Sequence, residues 1–137
     1  MPGAPVEVLR KVPLFADLNA RELQKVARLF KQRRFSAGQV VVQEGSGGAA
    51  FFLIESGEAK VTVRGRPRGT LGGGDYFGEI ALIDEGARMA TITAETDLVC
   101  HGLTFWEFRP LVQENAAIGW KLLQSLAKTL RGAHEDG

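Results

Sequence analysis

Gly72-Gly73-Gly74-Asp75-Tyr76-Phe77-Gly78-Glu79-Ile80-Ala81-Leu82-Ile83, continued by Asp84-Glu85-Gly86-Ala87-Arg88-Met89-Ala90-Thr91, is the stretch from which the rest of the chain becomes readable. A flexible glycine lead runs into a short helix-forming segment. Glycine lets main-chain amides come close to a ligand, and a helix starting near Gly78 leaves amides such as those of Ile80 and Ala81 without intrahelical partners. Such amides attract an anion, above all a phosphate. Arg88 follows Glu79 by nine residues through a turn at 84–86, and its guanidinium fork can reach the same anion. A carboxylate at Glu79 would be repelled there unless the ligand also offers a hydroxyl donor, such as a ribose 2′-OH, and Arg88 helps to neutralise it.

Around this stretch the glycines divide the chain. Of 17 glycines, thirteen fall between Gly38 and Gly102, whereas the segments 4–37 and 103–131 hold none and one. The order is therefore helix, glycine-punctuated strands, helix. Asn19-Ala20-Arg21-Glu22 spells a capping box, Leu18 and Leu23 a hydrophobic staple, and Leu23, Val26, Ala27 and Phe30 recur at helical spacing. In the middle, Ala59, Val61 and Val63 alternate with polar neighbours, and Phe51-Phe52-Leu53-Ile54 is a buried-strand run. Ser56-Gly57 between them has the composition of a two-residue hairpin turn. Further short runs at 34–35, 40–42, 70–71, 91–94 and 98–103 bring the expected number of strands to between six and eight, as in a barrel or sandwich. Helical periodicity returns around 104–112, broken or kinked by Pro110, and from Glu114 to about Arg131. In the last helix Ala116, Gly119, Leu123, Leu126 and Leu130 form an apolar stripe widened by Trp120, Leu122 and Ala127. Its expected role is packing onto its own domain, with a homodimer seam as the alternative.

The 137 residues allow one domain with one sizeable core, assigned to 6–131, with 132–137 as a disordered or frayed tail. Lys plus Arg number 17 against 16 Asp plus Glu, and a net +1 supplies no whole-protein field for nucleic acid or an anionic membrane. The single Cys100 forms no intrachain disulfide and no cysteine cluster, and with no apolar run of 18 residues and no signal peptide the expectation is a cytoplasmic protein. Two histidines, His101 and His134, build no multi-histidine metal site, and neither GxSxG nor HExxH is present, so an enzyme is not expected. Cys100 and His101, adjacent on a predicted strand, face opposite ways and read as a core thiol and an exposed or hydrogen-bonded imidazole.

The opening stretch resembles the phosphate-binding cassette of the cyclic nucleotide-binding domain family, approximately G-D-x-F-G-E-x-A-L, a short turn, then R-x-A-[ST]. Residues 74–82 and 88–91 fill every fixed position, and Phe35, Gly38, Val41, Val42 and Gly45 meet a second family pattern. The resemblance runs over about 6–131. It implies a mainly β fold with flanking helices: an eight-stranded antiparallel, jelly-roll-like β-roll with an N-terminal helical bundle and C-terminal helices, the last acting as a lid. It also implies a sensing module resembling catabolite activator proteins and kinase A regulatory subunits, with cAMP as ligand and no cofactor. In that resemblance Glu79 accepts from the ribose 2′-OH, Arg88 holds the phosphate, and the backbone of Gly78, Ile80 and Ala81 completes the cradle, with Phe77, Met89 and Ala90 lining it. Met89 stands where a hydroxylated residue often accompanies cGMP preference, which favours cAMP over cGMP. The lid falls on 126–135, with Thr129, Leu130, Ala133 and His134 as candidates to meet the base.

An effector protein would read the change. With Gly137 as the last residue, no DNA-binding helix-turn-helix is expected after the lid, and the chain reads as a stand-alone regulator or a fragment of something larger. Two other readings compete: an interaction module that keeps the fold without useful nucleotide affinity and works through the stripe 116–130, and nucleic-acid binding through Lys31, Arg33 and Arg34 or Arg64, Arg66 and Arg68. Intact Glu79 and Arg88 argue against the first, and short basic runs are more simply solvated surface.

Overall fold

The computed structural model describes residues 3–46, 50–84 and 86–136, with side chains as far as 133. In chain order it places α1 (Val6–Leu9), a 3₁₀ turn at Pro13–Phe15, α2 (Ala20–Ala27), β1 (Lys31–Phe35), β2 (Val40–Val42), β3 (Ala50–Ser56), β4 (Ala59–Val63), β5 (Arg66–Leu71), β6 (Tyr76–Phe77), a second 3₁₀ turn at Glu79–Leu82, β7 (Thr91–Ala94), β8 (Leu98–Thr104), α3 (Phe105–Glu114) and α4 (Ala116–Asp136). The eight strands form two antiparallel four-stranded sheets, β1-β8-β3-β6 and β2-β7-β4-β5. This is the eight-stranded roll with flanking helices that the resemblance implies.

Two cores share the first sheet. Successive strand residues face opposite ways, so in β3 Phe51 and Leu53 turn to a core made with the helices, while Phe52 and Ile54 turn into the roll. A strand covered on both faces reads as an unbroken apolar run. The two-residue β6 works the same way. Tyr76 packs edge-on against Phe51 at 5.8 Å between ring centroids, and Phe77 lies tilted by 30° against Phe52 at 5.3 Å, so the start of the cassette is fixed to both cores. Sequence reading treated this lead as flexible. It is instead ordered by Asp75, whose Oδ2 accepts from the Gly72 amide at 2.7 Å, and by the Gly74 amide donating to the Ile54 carbonyl at 2.8 Å.

Ser56-Gly57 does not close a hairpin. β3 and β4 belong to different sheets, and the chain crosses between them at Gly57, with φ +95 and a Cβ direction blocked by the Asp97 carbonyl. The tight hairpin joins β4 to β5 through Arg64 and Gly65, both at positive φ (53 and 77), and the Arg64 amide donates to Glu44 Oε1 at 2.8 Å. Positive φ at both central positions matches the twist of the flanking strands.

The capping box of α2 is present, with Asn19 and Glu22 exchanging bonds of 2.9 Å each. A second box that sequence reading passed over, Thr104 with Glu107, starts α3 directly from the end of β8. Pro110 does not end α3, which continues to Glu114. In α4 the packed face differs from the expected stripe. Ile118, Leu122 and Ser125 are buried, while Trp120, Leu123 and Leu130 are 64%, 58% and 63% exposed. The rotation is set by polar anchors on the N-terminal segment. Lys121 Nζ reaches Glu22 Oε1 at 2.6 Å, Lys128 Nζ reaches Asp17 at 2.9 Å, and Ser125 Oγ donates to Asp17 Oδ2 at 3.3 Å. The helix also runs to Asp136, past the end near Arg131 that its periodicity indicates.

Candidate functional site

Gly78 turns the chain out of β6 in a left-handed conformation (φ 84, ψ 18), and Glu79–Leu82 follow as a single 3₁₀ turn. The turn engages one amide that sequence reading left free: Ala81 donates to the Gly78 carbonyl at 3.0 Å. The amides of Glu79 and Ile80 have no backbone partner among the described residues. Arg88 comes back across this turn because its main chain is tied to the loop after β2, with the Gly45 amide donating to the Arg88 carbonyl and the Arg88 amide to the Ser46 carbonyl, both at 2.9 Å. Thr91 secures the same loop by accepting from the Glu44 amide at 3.0 Å.

The Arg88 side chain is half-buried, and burial lowers its pKa from the ordinary value. Nη2 donates to the Ala50 carbonyl at 2.5 Å, while Nε is buried without a partner. Among the described residues no carboxylate lies within ion-pair distance of it, Glu79 included. A desolvated cation without a counter-charge is costly on its own, and the geometry of this one asks for an anion. Nη1 sits over Gly78, where a Cβ would overlap it.

A cavity of about 390 Å³, within the range of small-molecule sites, opens at this point. Its lining brings together all eight residues singled out from the sequence: Phe77, Gly78, Glu79, Ile80, Ala81, Arg88, Met89 and Ala90. Sequence reading missed the opposite wall, Val42 of β2 and Ile92 of β7, and an acidic rim residue, Asp84. Val42 and Ile92 are ordinary strand residues, and only the closure of the roll brings them here. Met89 is 86% exposed, so it stands at the mouth and does not fill the pocket. Tyr76 lies close enough to Glu79 for the carboxylate to add to the upward shift that burial imposes on the phenol.

A family model described as cyclic nucleotide-binding domain matches residues 32–115. The chain belongs to the cyclic nucleotide-binding domain family. Over 92 residues, 66% of its length, it is 45% identical to a cAMP-dependent protein kinase regulatory subunit of Yarrowia lipolytica, of which the match covers 24%. It is 40% identical over 96 residues, 65% of its length, to cGMP-dependent protein kinase isozyme 1 of Drosophila melanogaster, of which the match covers 12%. The chain thus spans a quarter or less of these relatives. Among solved structures, the N-terminal domain of a transcriptional regulator from Streptomyces coelicolor superposes with a TM-score of 0.84 at 25% identity, covering 94% of both chains. Catabolite activator protein of Thermus thermophilus gives 0.68 at 30% identity over 90% of this chain and 61% of that one.

In this cyclic nucleotide-binding domain no residue of α4 lines the pocket among the described residues. The carboxyls of Asp17 and Glu22 are held below the ordinary carboxylate pKa, chiefly by hydrogen bonds from Lys128 and Lys121 respectively. These contacts therefore hold α4 in place above the ordinary carboxylate pKa and weaken as pH falls through the lowered values. Of the lid candidates, Leu130 and Ala133 are exposed, Thr129 Oγ1 donates to the Ser125 carbonyl at 3.1 Å, and the His134 side chain lies outside the described residues.

The other candidate groups fall elsewhere. Cys100 points into the roll, where burial pushes its thiol up to about 11, and His101 Nε2 pairs with Glu55 Oε1 at 2.9 Å on the opposite face. The two basic runs lie on different sheets, Lys31–Arg34 on edge strand β1 and Arg64–Arg68 on the β4–β5 hairpin. Among the described residues no helix is long and apolar enough to cross a membrane, and no group of three or more His, Cys, Asp or Glu is placed to hold a metal.

Proposed function

We propose that the domain is a non-catalytic sensor that binds cAMP, and cGMP more weakly, in the pocket between the Glu79–Leu82 turn and β7, and transmits occupancy through α4 to an effector protein. The half-buried Arg88, with an orphan Nε and no carboxylate partner among the described residues, carries this reading. A cyclic phosphate placed at its fork supplies the missing counter-charge with charge-assisted bonds. Glu79, unpaired with Arg88 in the same pocket, accepts from the ribose 2′-OH. Phe77, Ile80, Ala81, Met89 and Ala90 flank the nucleotide, with the main chain of Gly78 against the phosphate. The reading uses no metal or further cofactor. Calorimetry tests it: cAMP binds more tightly than cGMP, and 2′-deoxy-cAMP more weakly than cAMP because Glu79 loses its donor. Absence of heat with both nucleotides, together with an unshifted Tm at millimolar ligand, would reject it.

Movement of α4 is the proposed output. In the present arrangement it is docked on Asp17 and Glu22, and covering the base requires that docking to loosen. Asp17→Asn removes the partner of Lys128 and weakens that of Ser125. Exposed ion pairs are weak, so the variant gains at most about five-fold in cAMP affinity in a calorimetric titration. Unchanged or weaker binding would separate α4 from the site.

The exposed face of α4 favours self-association as a second element. Trp120, Leu123, Ala127 and Leu130 follow a 3-4-3 spacing and are all exposed, the seam spacing of a two-stranded coiled coil. The native chain sediments as a dimer and Leu123→Glu/Leu130→Glu as a monomer in analytical ultracentrifugation. A native monomer at the highest concentrations tested would remove the seam.

A further inference from the structure

Charge is distributed unevenly along the chain. The first 35 residues hold eight Lys or Arg against three Asp or Glu, a formal +5, and the rest hold nine against thirteen, −4, which together make the net +1. Within this cationic first quarter, Arg21, Lys25 and Arg28 recur at i, i+4 and i+7 on α2 and its C-cap, all exposed, opposite the buried Leu23, Val26 and Ala27. Among the described residues none of the three has a carboxylate within ion-pair distance, and the Lys25 ammonium donates to the neutral amide of Asn115 at 3.2 Å. Two of the three nearby acids are already engaged, Glu22 by Lys121 and Asp17 by Lys128.

Helix stability does not account for the stripe. Lys25 and Arg28 suit the C-terminal end of the macrodipole, but Arg21 in the first turn opposes it, and like charges at i, i+4 destabilise a helix. The stripe is short, about 10 Å at 1.5 Å per residue. Its exposed neighbours are Ala20 and Gln24, so it offers no aromatic platform for a base and no large apolar side chain for a lipid surface.

We propose that this face of α2 docks an acidic helical segment of a partner protein, whose carboxylates repeat at the same i, i+4, i+7 spacing. The lysines that neutralise Asp17 and Glu22 come from α4, so the face is most cationic while α4 is docked. That last coupling rests on the α4 movement proposed above; the docking itself does not.

The test is fluorescence anisotropy with a labelled alanine-rich helical peptide carrying glutamates at that spacing, alongside a labelled DNA duplex and phosphatidylserine vesicles. The peptide binds in low salt, and its affinity falls at least about ten-fold between about 50 and about 300 mM salt as screening sets in. Arg21→Glu/Lys25→Glu/Arg28→Glu abolishes binding. Arg64→Glu/Arg66→Glu/Arg68→Glu, the same change of charge on the opposite sheet, leaves affinity within about two-fold. Circular dichroism checks folding, and the milder Arg21→Gln/Arg28→Gln gives a loss of about three-fold or more. No peptide binding in low salt, equal losses in both triple variants, or tighter binding to duplex or vesicles would overturn the proposal. cAMP binding by all these variants stays intact, so failure here leaves the nucleotide reading untouched.

Discussion

Arg88→Ala lowers cAMP affinity by about ten-fold or more in calorimetry, because a charge-assisted bond to a buried anion is lost at a cost of ~1.5–3 kcal/mol. The loss is specific to the liganded state. Without ligand the wild-type guanidinium is half-buried and, among the described residues, has an orphan Nε and satisfies only the Ala50 carbonyl. Removing it relieves a desolvated charge while freeing one carbonyl, so the Tm of the unliganded domain changes little and the stabilisation by cAMP is reduced. Arg88→Lys restores charge without the fork and recovers only part of the affinity. Native-like cAMP binding by Arg88→Ala would remove the phosphate from this position.

Gly78→Ala is expected to remove binding by a different route. A side chain at φ +84 costs ~1–2 kcal/mol, and the new Cβ would stand 2.7 Å from the Ala50 carbonyl oxygen and overlap Arg88 Nη1. Backbone cannot yield there as a side chain can, so the turn shifts, Arg88 is displaced and cAMP affinity falls by more than ten-fold. Gly74→Ala is the control. Gly74 has φ +91 but open space around its Cβ, so it shares the conformational cost, lowers the Tm and leaves cAMP affinity close to wild type. Equal affinity in the two variants would show that the close approach at Gly78 has no part in the site.

Local chemistry was legible in the linear chain. The Asn19–Glu22 box, the strand alternation at Ala59–Val63 and eight of the residues that line the pocket depend on neighbours within a few positions, and each sits where its local pattern indicates. Even the cassette was readable as a unit, since Gly78, Glu79 and Arg88 are separated by only one short turn. Errors arose where a short pattern had two outcomes. Ser56-Gly57 suits a hairpin as well as a crossing between sheets, and the crossing is chosen by the pairing of β3 with β8, more than forty residues away.

The sequence by itself therefore determined the helix–roll–helix order and the chemical identity of the candidate site, because backbone freedom, capping and hydrophobic period act over a few residues. Tertiary structure alone decided which wall faces Arg88, through the closure that brings Val42 and Ile92 opposite it. It also decided which stripe of α4 is buried. An apolar face wide enough to pack in two rotations carries no preference of its own, and Asp17 and Glu22, about a hundred residues upstream, select between them by engaging Ser125, Lys128 and Lys121. Long-range pairing of this kind leaves no local period, so only the folded chain reveals it.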